Sequence, residues 1–181
     1  MRYEKPPERR DSKLFMTIKV TQEQLTEIRQ QGEQAYPYEC CGLLLGKIID
    51  GTKELADIHP ISNSREDAAR HNRYLISPAE FFQAQRLARS RGLDIIGCYH
   101  SHPDHPARPS GFDLDHATFP GDSFIIASVA NGKAVDLNSF VMTEDRSRFD
   151  SENIVKIWKT LIAFQRLIDK LKFVGHFLRR T

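Results

Sequence analysis

The stretch LDIIGCYHSHPDHPARPSGFD, residues 93–113, decides how the rest of the chain is to be read. Its first seven residues, LDIIGCY, are apolar, rich in isoleucine and preceded by Gly92, which predicts a buried strand ending at the histidines. Side chains alternate across a strand, so His100 and His102 project from one face, where two neutral imidazoles can share an ion. A Pro-rich loop follows. Ser110 and Gly111 then read as the turn into a helix opened by Phe112 and Asp113. A carboxylate is well placed at a helix N-terminus and can swing back as a third ligand. Two nitrogens and one carboxylate oxygen leave a tetrahedral zinc with one open position, the pattern of catalytic rather than structural zinc. One zinc ion per chain is the expectation.

H-x-H alone is more often a pair of ordinary polar residues where a strand runs into a loop. The full pattern H-x-H-x(7)-S-x(2)-D is more demanding, and at this chain's own His, Ser and Asp frequencies it arises by chance about once per thousand such sequences. A domain that kept its ligands and lost its activity would match equally well, so a second feature is needed.

Glu39 is that feature. It stands between Tyr38 and the apolar run CCGLLLG, where a charged residue is either a solvated strand edge or a carboxylate aimed into a cleft. Amide hydrolysis by metal-activated water needs a base that takes the water's proton and later delivers it to the leaving nitrogen. Glu39 can do this without binding the metal if its strand pairs near the His100 strand.

The chain has 181 residues, 40% hydrophobic and 28% charged, with a net charge of +2. This is the balance of one soluble domain, and it gives no indication of nucleic-acid binding. Cys40, Cys41 and Cys98 are odd in number and two are adjacent, which argues against a disulfide framework and for a reducing compartment. The opening residues lack the apolar core of a signal peptide, and no run is long enough to cross a bilayer. A cytoplasmic location is expected.

After a polar leader over residues 1–13, a strand is expected over 14–20. Thr21 and Gln24 form a capping box for a helix reaching about Ala35. A strand over 41–49, the turn Asp50-Gly51 and a return strand over 53–61 make a hairpin. The polar stretch 62–72 reads as a mobile loop and a candidate substrate flap, followed by a short strand over 73–76. Ser77 and Pro78 open a helix whose buried side is Phe81, Phe82, Leu87 and Ala88, closed by Gly92. Beyond Asp113, strands over 123–129 and 134–142 flank the turn Asn131-Gly132. Hairpins mixed with strand-helix-strand units predict an α+β fold, a mixed β-sheet with flanking helices. From residue 151 a basic amphipathic C-terminal helix is expected, with seven Lys and Arg against two acidic residues over 152–181. Such a helix packs on the domain, pairs two subunits as a homodimer, or makes a peripheral membrane contact.

The segments YPYECCGLLLG and GCYHSHPDHPARPSGFD together closely resemble the JAMM or MPN-plus metallopeptidases, particularly their small single-domain prokaryotic members. The resemblance covers residues 16–142, within a domain taken as 14–150. It implies a cytidine deaminase-like fold, zinc held by His100, His102 and Asp113, Glu39 as general acid and base, and Ser110 as a donor to the oxyanion. The activity implied is hydrolysis of peptide or isopeptide bonds. The partner implied is a ubiquitin-like (β-grasp) sulfur carrier protein, cut after its C-terminal Gly-Gly, with deconjugation of ubiquitin-like proteins and a non-catalytic scaffold as alternatives. The H-E-x-x-H of zincins and the H-x-E with P-C-x-x-C of zinc deaminases are both lacking. Cys98 reads as a buried strand cysteine rather than a soft ligand, and His105 and His116 receive no role.

Overall fold

The computed structural model describes residues 17–65, 71–117 and 119–158. The elements are β1 (Thr17–Thr21), α1 (Gln22–Ala35), β2 (Cys41–Ile49), β3 (Thr52–Ile61), α2 (Pro78–Ser90), β4 (Asp94–Pro103), α3 (Gly111–His116), β5 (Ser123–Ala130), β6 (Lys133–Met142) and β7 (Phe149–Ile157). The class is α+β, as expected, and the mixed sheet closes on itself in the order β1-β3-β2-β4-β5-β6-β7.

Local chemistry sets many of the boundaries. Thr21 caps α1 by accepting the Gln24 amide at 3.3 Å, and the Gln24 side chain returns to the Thr21 amide at 2.9 Å. Ser77 and Glu80 repeat the arrangement at α2. The β2–β3 and β5–β6 turns each place two residues in the left-handed region, Asp50 and Gly51 at φ 48° and 75°, Asn131 and Gly132 at 49° and 77°. That twist matches the flanking strands and favours Asp-Gly and Asn-Gly.

Helices cover the sheet in two places. Ile18, Val20, Leu44, Ile96, Tyr99 and Ile125 pack with Leu25 and Ile28 of α1, while Leu43 and Leu45 pack with Ala84 and Ala88 of α2. Alternate residues of β2 thus serve separate clusters, which accounts for its nearly continuous apolar run. Gly97 permits the close approach of β5 to β4, since a Cβ there would lie 2.1 Å from the Ser123 carbonyl oxygen.

Three sequence expectations are corrected. Residues 73–76 form no strand: the Leu75 carbonyl accepts the Ser64 amide and the Leu75 amide goes to the Asn63 side chain, so the segment is tied to its own loop. Phe82 is 61% exposed, because the buried line of α2 passes through Ala84 and Ala88 and Phe82 lies off it. Residues 151–157, expected to begin the C-terminal helix, belong to β7, which pairs antiparallel with β6 and parallel with β1. Ile154 and Ile157 are spaced as on one face of a helix and fall on opposite faces of a strand, but the β-branched run Ile154-Val155 and the open edge of β1 favour the strand. The domain therefore does not end at residue 150. The remainder of the expected helix, 159–181, lies outside the described residues, as do the leader and the start of the first expected strand.

Candidate active site

The metal-ligating donors expected from sequence converge. Cys41 of β2 lies opposite His100 of β4, so Glu39, two residues ahead of Cys41, is delivered to the end of β4 that carries the histidines. His100 Nε2 and His102 Nε2 are 3.0 Å apart. Asp113 Oδ1 is 3.3 Å from His100 Nε2, and its Oδ2 is 3.6 Å from His102 Nε2. All three side chains are buried, and their ligand atoms lie within 4.8 Å of one another.

Asp113 is aimed by α3. Ser110 caps that helix, accepting the Asp113 amide at 3.2 Å, while its hydroxyl and amide both donate to Asp113 Oδ2 at 2.6 Å. Burial pushes the Asp113 carboxyl up, but hydrogen bonds with His100, His102 and Ser110 outweigh it and hold the group far below the usual carboxylate range. His102 is raised, because burial is outweighed by Asp113 and the Pro106 carbonyl, whereas burial dominates at His100 and lowers it.

A cation fits this donor set. His102 Nδ1 donates to the Pro106 carbonyl at 3.0 Å, which fixes its tautomer and leaves the Nε2 lone pair pointing at His100. His100 Nδ1 is buried without a hydrogen-bond partner. If His100 carries its proton on Nδ1, two lone pairs face each other across 3.0 Å; if on Nε2, the buried Nδ1 lacks a donor. An ion held by both Nε2 atoms and Asp113 gives the two facing lone pairs a shared partner. The triad can therefore hold a metal ion.

Glu39 is 5% exposed. Burial pushes its carboxyl up to about 8, with His102 and Arg73 pulling down and Asp113 pushing up. It shares a cleft of about 340 Å³ with Arg73, His102, His105, Arg108 and Ser110. A larger groove of about 880 Å³, bordered by Leu137, Phe140 and Ile154, meets this cleft along Arg108, Pro109 and Ser110.

Among the residues left unassigned from sequence, His105 borders the cleft, whereas His116 stacks on Phe112 with ring centroids 3.7 Å apart. Cys98 stays outside the triad, and burial pushes its thiol up to about 12, which keeps it protonated. Three contributors went unnoticed in the sequence. Tyr74 stacks on His100 at 4.7 Å. Asn63 donates to the backbone carbonyls of Glu39 and Arg73 at 3.1 and 2.9 Å. Ser101 receives the Cys40 amide at 2.9 Å. Only Ser101, buried between the two histidines, carried a signal: strand alternation sends it to the opposite face.

Fold and donor set together define a mixed α+β domain with a triad at a strand end that can hold a metal ion. The pattern describing prokaryotic homologues of the JAB domain matches residues 21–143, and the chain belongs to that family. Over 117 residues it is 30% identical to a desampylase of Haloferax volcanii, covering 65% of this chain and 81% of that protein. A probable TtuB-protein conjugate cleaving protease of Thermus thermophilus is 30% identical over 93 residues, 51% of this chain and 58% of that protein. A solution structure from Salinibacter ruber is 42% identical with a TM-score of 0.63, covering 80% of this chain and 93% of that one. Another, from Desulfitobacterium hafniense, is 30% identical with a TM-score of 0.69, covering 79% and 94%.

Proposed function

We propose that this chain is a zinc-dependent peptidase that hydrolyses the amide bond after the C-terminal Gly-Gly of a ubiquitin-like sulfur carrier protein. The observation that carries the reading is the triad of His100, His102 and Asp113, whose His102 lines one cleft with the buried Glu39 carboxyl. A zinc ion held by the triad would supply Lewis-acid activation of a water, whose pKa falls to about 7 on such an ion. Glu39 takes the proton from the attacking water on its carboxylate and delivers it to the leaving nitrogen. Its raised pKa suits both halves of that task, because a group titrating near neutrality accepts and returns a proton readily. Ser110 holds the developing oxyanion by turning its hydroxyl proton from Asp113 Oδ2 to the substrate oxygen. The narrow cleft favours a tail without side chains, and an extended peptide suits the groove that meets it.

A second reading, release of ubiquitin-like proteins from lysine side chains of conjugates, is favoured by the names of the two curated relatives. Both readings share one chemistry. A non-catalytic scaffold is disfavoured by the complete donor set. The test is mass spectrometry of a sulfur carrier bearing extra residues after Gly-Gly, incubated with the protein, with Glu39→Ala, and with the protein plus chelator. Cleavage after Gly-Gly by the untreated wild type alone is expected. An intact carrier beside a cleaved lysine-linked conjugate would move the isopeptidase reading ahead.

A further inference from the structure

Glu39 stands just outside the ladder that carries it towards the triad. β2 begins at Cys41, so the peptide group joining Glu39 to Cys40 lies beyond the strand. The register still decides what faces it. Cys41 pairs with Ile61 of β3 and with His100 of β4, so Glu39 comes opposite Asn63 and Cys40 opposite Ser101. Both facing residues answer with side chains. Asn63 Nδ2 donates to the Glu39 carbonyl at 3.1 Å, and the Cys40 amide donates to Ser101 Oγ at 2.9 Å. A peptide group is planar and carries one carbonyl and one amide, so these two bonds hold opposite ends of a single plate. The plate fixes the backbone torsion on one side of the Glu39 Cα, and with it the direction in which the carboxyl leaves the chain.

Asn63 reaches further than Glu39. Its Nδ2 also donates to the Arg73 carbonyl at 2.9 Å, and its Oδ1 accepts the amides of Arg65 at 3.0 Å and Leu75 at 3.2 Å. An asparagine amide has two N–H groups and two lone pairs, and these four bonds match them. Tyr74, which follows Arg73, stacks its ring on His100 at 4.7 Å. One side chain therefore ties the peptide after the proposed base to the peptide before the ring that backs His100. Aspartate in its place would keep the two acceptor contacts and lose both donor contacts, and alanine would lose all four.

We propose that Asn63 is a positioning residue for Glu39: through the Glu39 carbonyl it holds the carboxyl in the cleft shared with His102. The proposal rests on the peptidase reading above for the chemistry that Glu39 performs, whereas the hold on the backbone stands without it. A base on a pinned backbone meets its proton donor without a search, and misplacing a reacting group by an ångström costs about a hundredfold in rate. Asn63 acts through Glu39 and not on the reacting atoms. Its loss leaves the contacts of the triad in place, since His102 is held by the Pro106 carbonyl and Asp113 by Ser110.

Amide hydrogen exchange by NMR on the metal-free protein, with kcat, KM and bound zinc on the zinc-loaded protein, tests this in the wild type, Asn63→Ala and Asn63→Asp. In Asn63→Ala, exchange at the Cys40 amide is expected to quicken by about tenfold or more relative to Leu44 inside β2. Turnover of a sulfur carrier extended beyond Gly-Gly is expected to fall roughly ten- to a hundredfold in kcat, with KM and bound zinc unchanged. Asn63→Asp keeps the acceptor for Arg65 and Leu75, so it covers the case in which the alanine variant fails to fold. There the Cys40 amide is expected to quicken while those of Arg65 and Leu75 stay protected. Cys40 exchange at the wild-type rate in both variants would overturn the proposal. So would a raised KM at unchanged kcat, which gives Asn63 to substrate binding, or loss of zinc with activity, which gives it to the histidines. A wild type that cleaves no carrier removes the peptidase reading, and the exchange rates then decide alone whether Asn63 holds the Glu39 peptide.

Discussion

Ser101 and Cys40 clasp each other across the β2–β4 seam. The Ser101 hydroxyl accepts the Cys40 amide at 2.9 Å, and the Ser101 amide donates to the Cys40 carbonyl at 3.1 Å. One of these residues separates the two histidines and the other follows Glu39. The clasp therefore fixes the distance between the proposed base and the metal triad.

Ser101→Ala leaves the Cys40 amide without its acceptor, which costs about 1–3 kcal/mol where water cannot replace it. The histidines keep their own contacts, so metal content is expected to persist while turnover drops. Melting temperature, bound metal and kcat measured on one preparation check this. Loss of metal together with activity would assign Ser101 to the histidines instead.

Glu39 couples proton uptake to stability in the metal-free protein. Its carboxyl is raised from 4.5 to about 8 in the folded chain, so between those values the native state binds the extra proton. Stability then falls as pH rises through the window, because the unfolded state has already released it. Metal-free Glu39→Gln is expected to exceed metal-free wild type in stability by up to a few kcal/mol at about pH 9, with the gap closing below about pH 4.5. Urea denaturation of chelator-treated proteins measures both ends, and a gap independent of pH would refute the assignment.

The Nε2 atoms of His100 and His102, facing each other at 3.0 Å beside Asp113, predict that zinc stabilises the fold. A ligand at a hundred times its Kd adds about 2.7 kcal/mol, enough to raise the melting temperature by several degrees. His102→Ala and Asp113→Ala are expected to abolish the zinc-induced rise, and Glu39→Ala to keep it. Calorimetry with and without zinc decides, and loss of the rise in Glu39→Ala would make Glu39 a ligand.

What the sequence shows plainly is local. The β4 strand, the Ser110 cap, the two left-handed turns and the Thr21 box each rest on a few adjacent residues whose backbone chemistry has one good solution. Asn63 belongs to a polar stretch without apolar period and Tyr74 to a segment that reads as a short strand, and only folding puts the tyrosine ring on His100 and the amide between Glu39 and Arg73. Glu39 sits between these cases. Its neighbours suggested a strand edge or a cleft, and the Cys41–His100 register selects the cleft. The misread end of the chain has the same cause, since Ile154 and Ile157 satisfy a helical period until the partners of β7 are known.

The strands around β7 meet at the buried Glu152 carboxylate. Its Oε1 accepts from Lys53 Nζ at 2.8 Å and Ser123 Oγ at 3.0 Å, and its Oε2 from Ser139 Oγ at 2.6 Å. Both charged side chains are 0% exposed, so β3, β5, β6 and β7 are joined through one buried carboxylate. Removing one partner of such a pair strands the other charge and typically costs about 3–5 kcal/mol, whereas replacing both with apolar residues is often nearly neutral. Lys53→Met and Glu152→Leu are each expected to destabilise strongly, and the double variant to recover most of the loss. A chain ending at residue 148 lacks β7 altogether and is expected not to fold, because β1 and β6 then keep unpaired edges. Denaturation midpoints of the four full-length proteins check the coupling. Additive losses in the double variant would show that Lys53 and Glu152 act separately, each through its own neighbours.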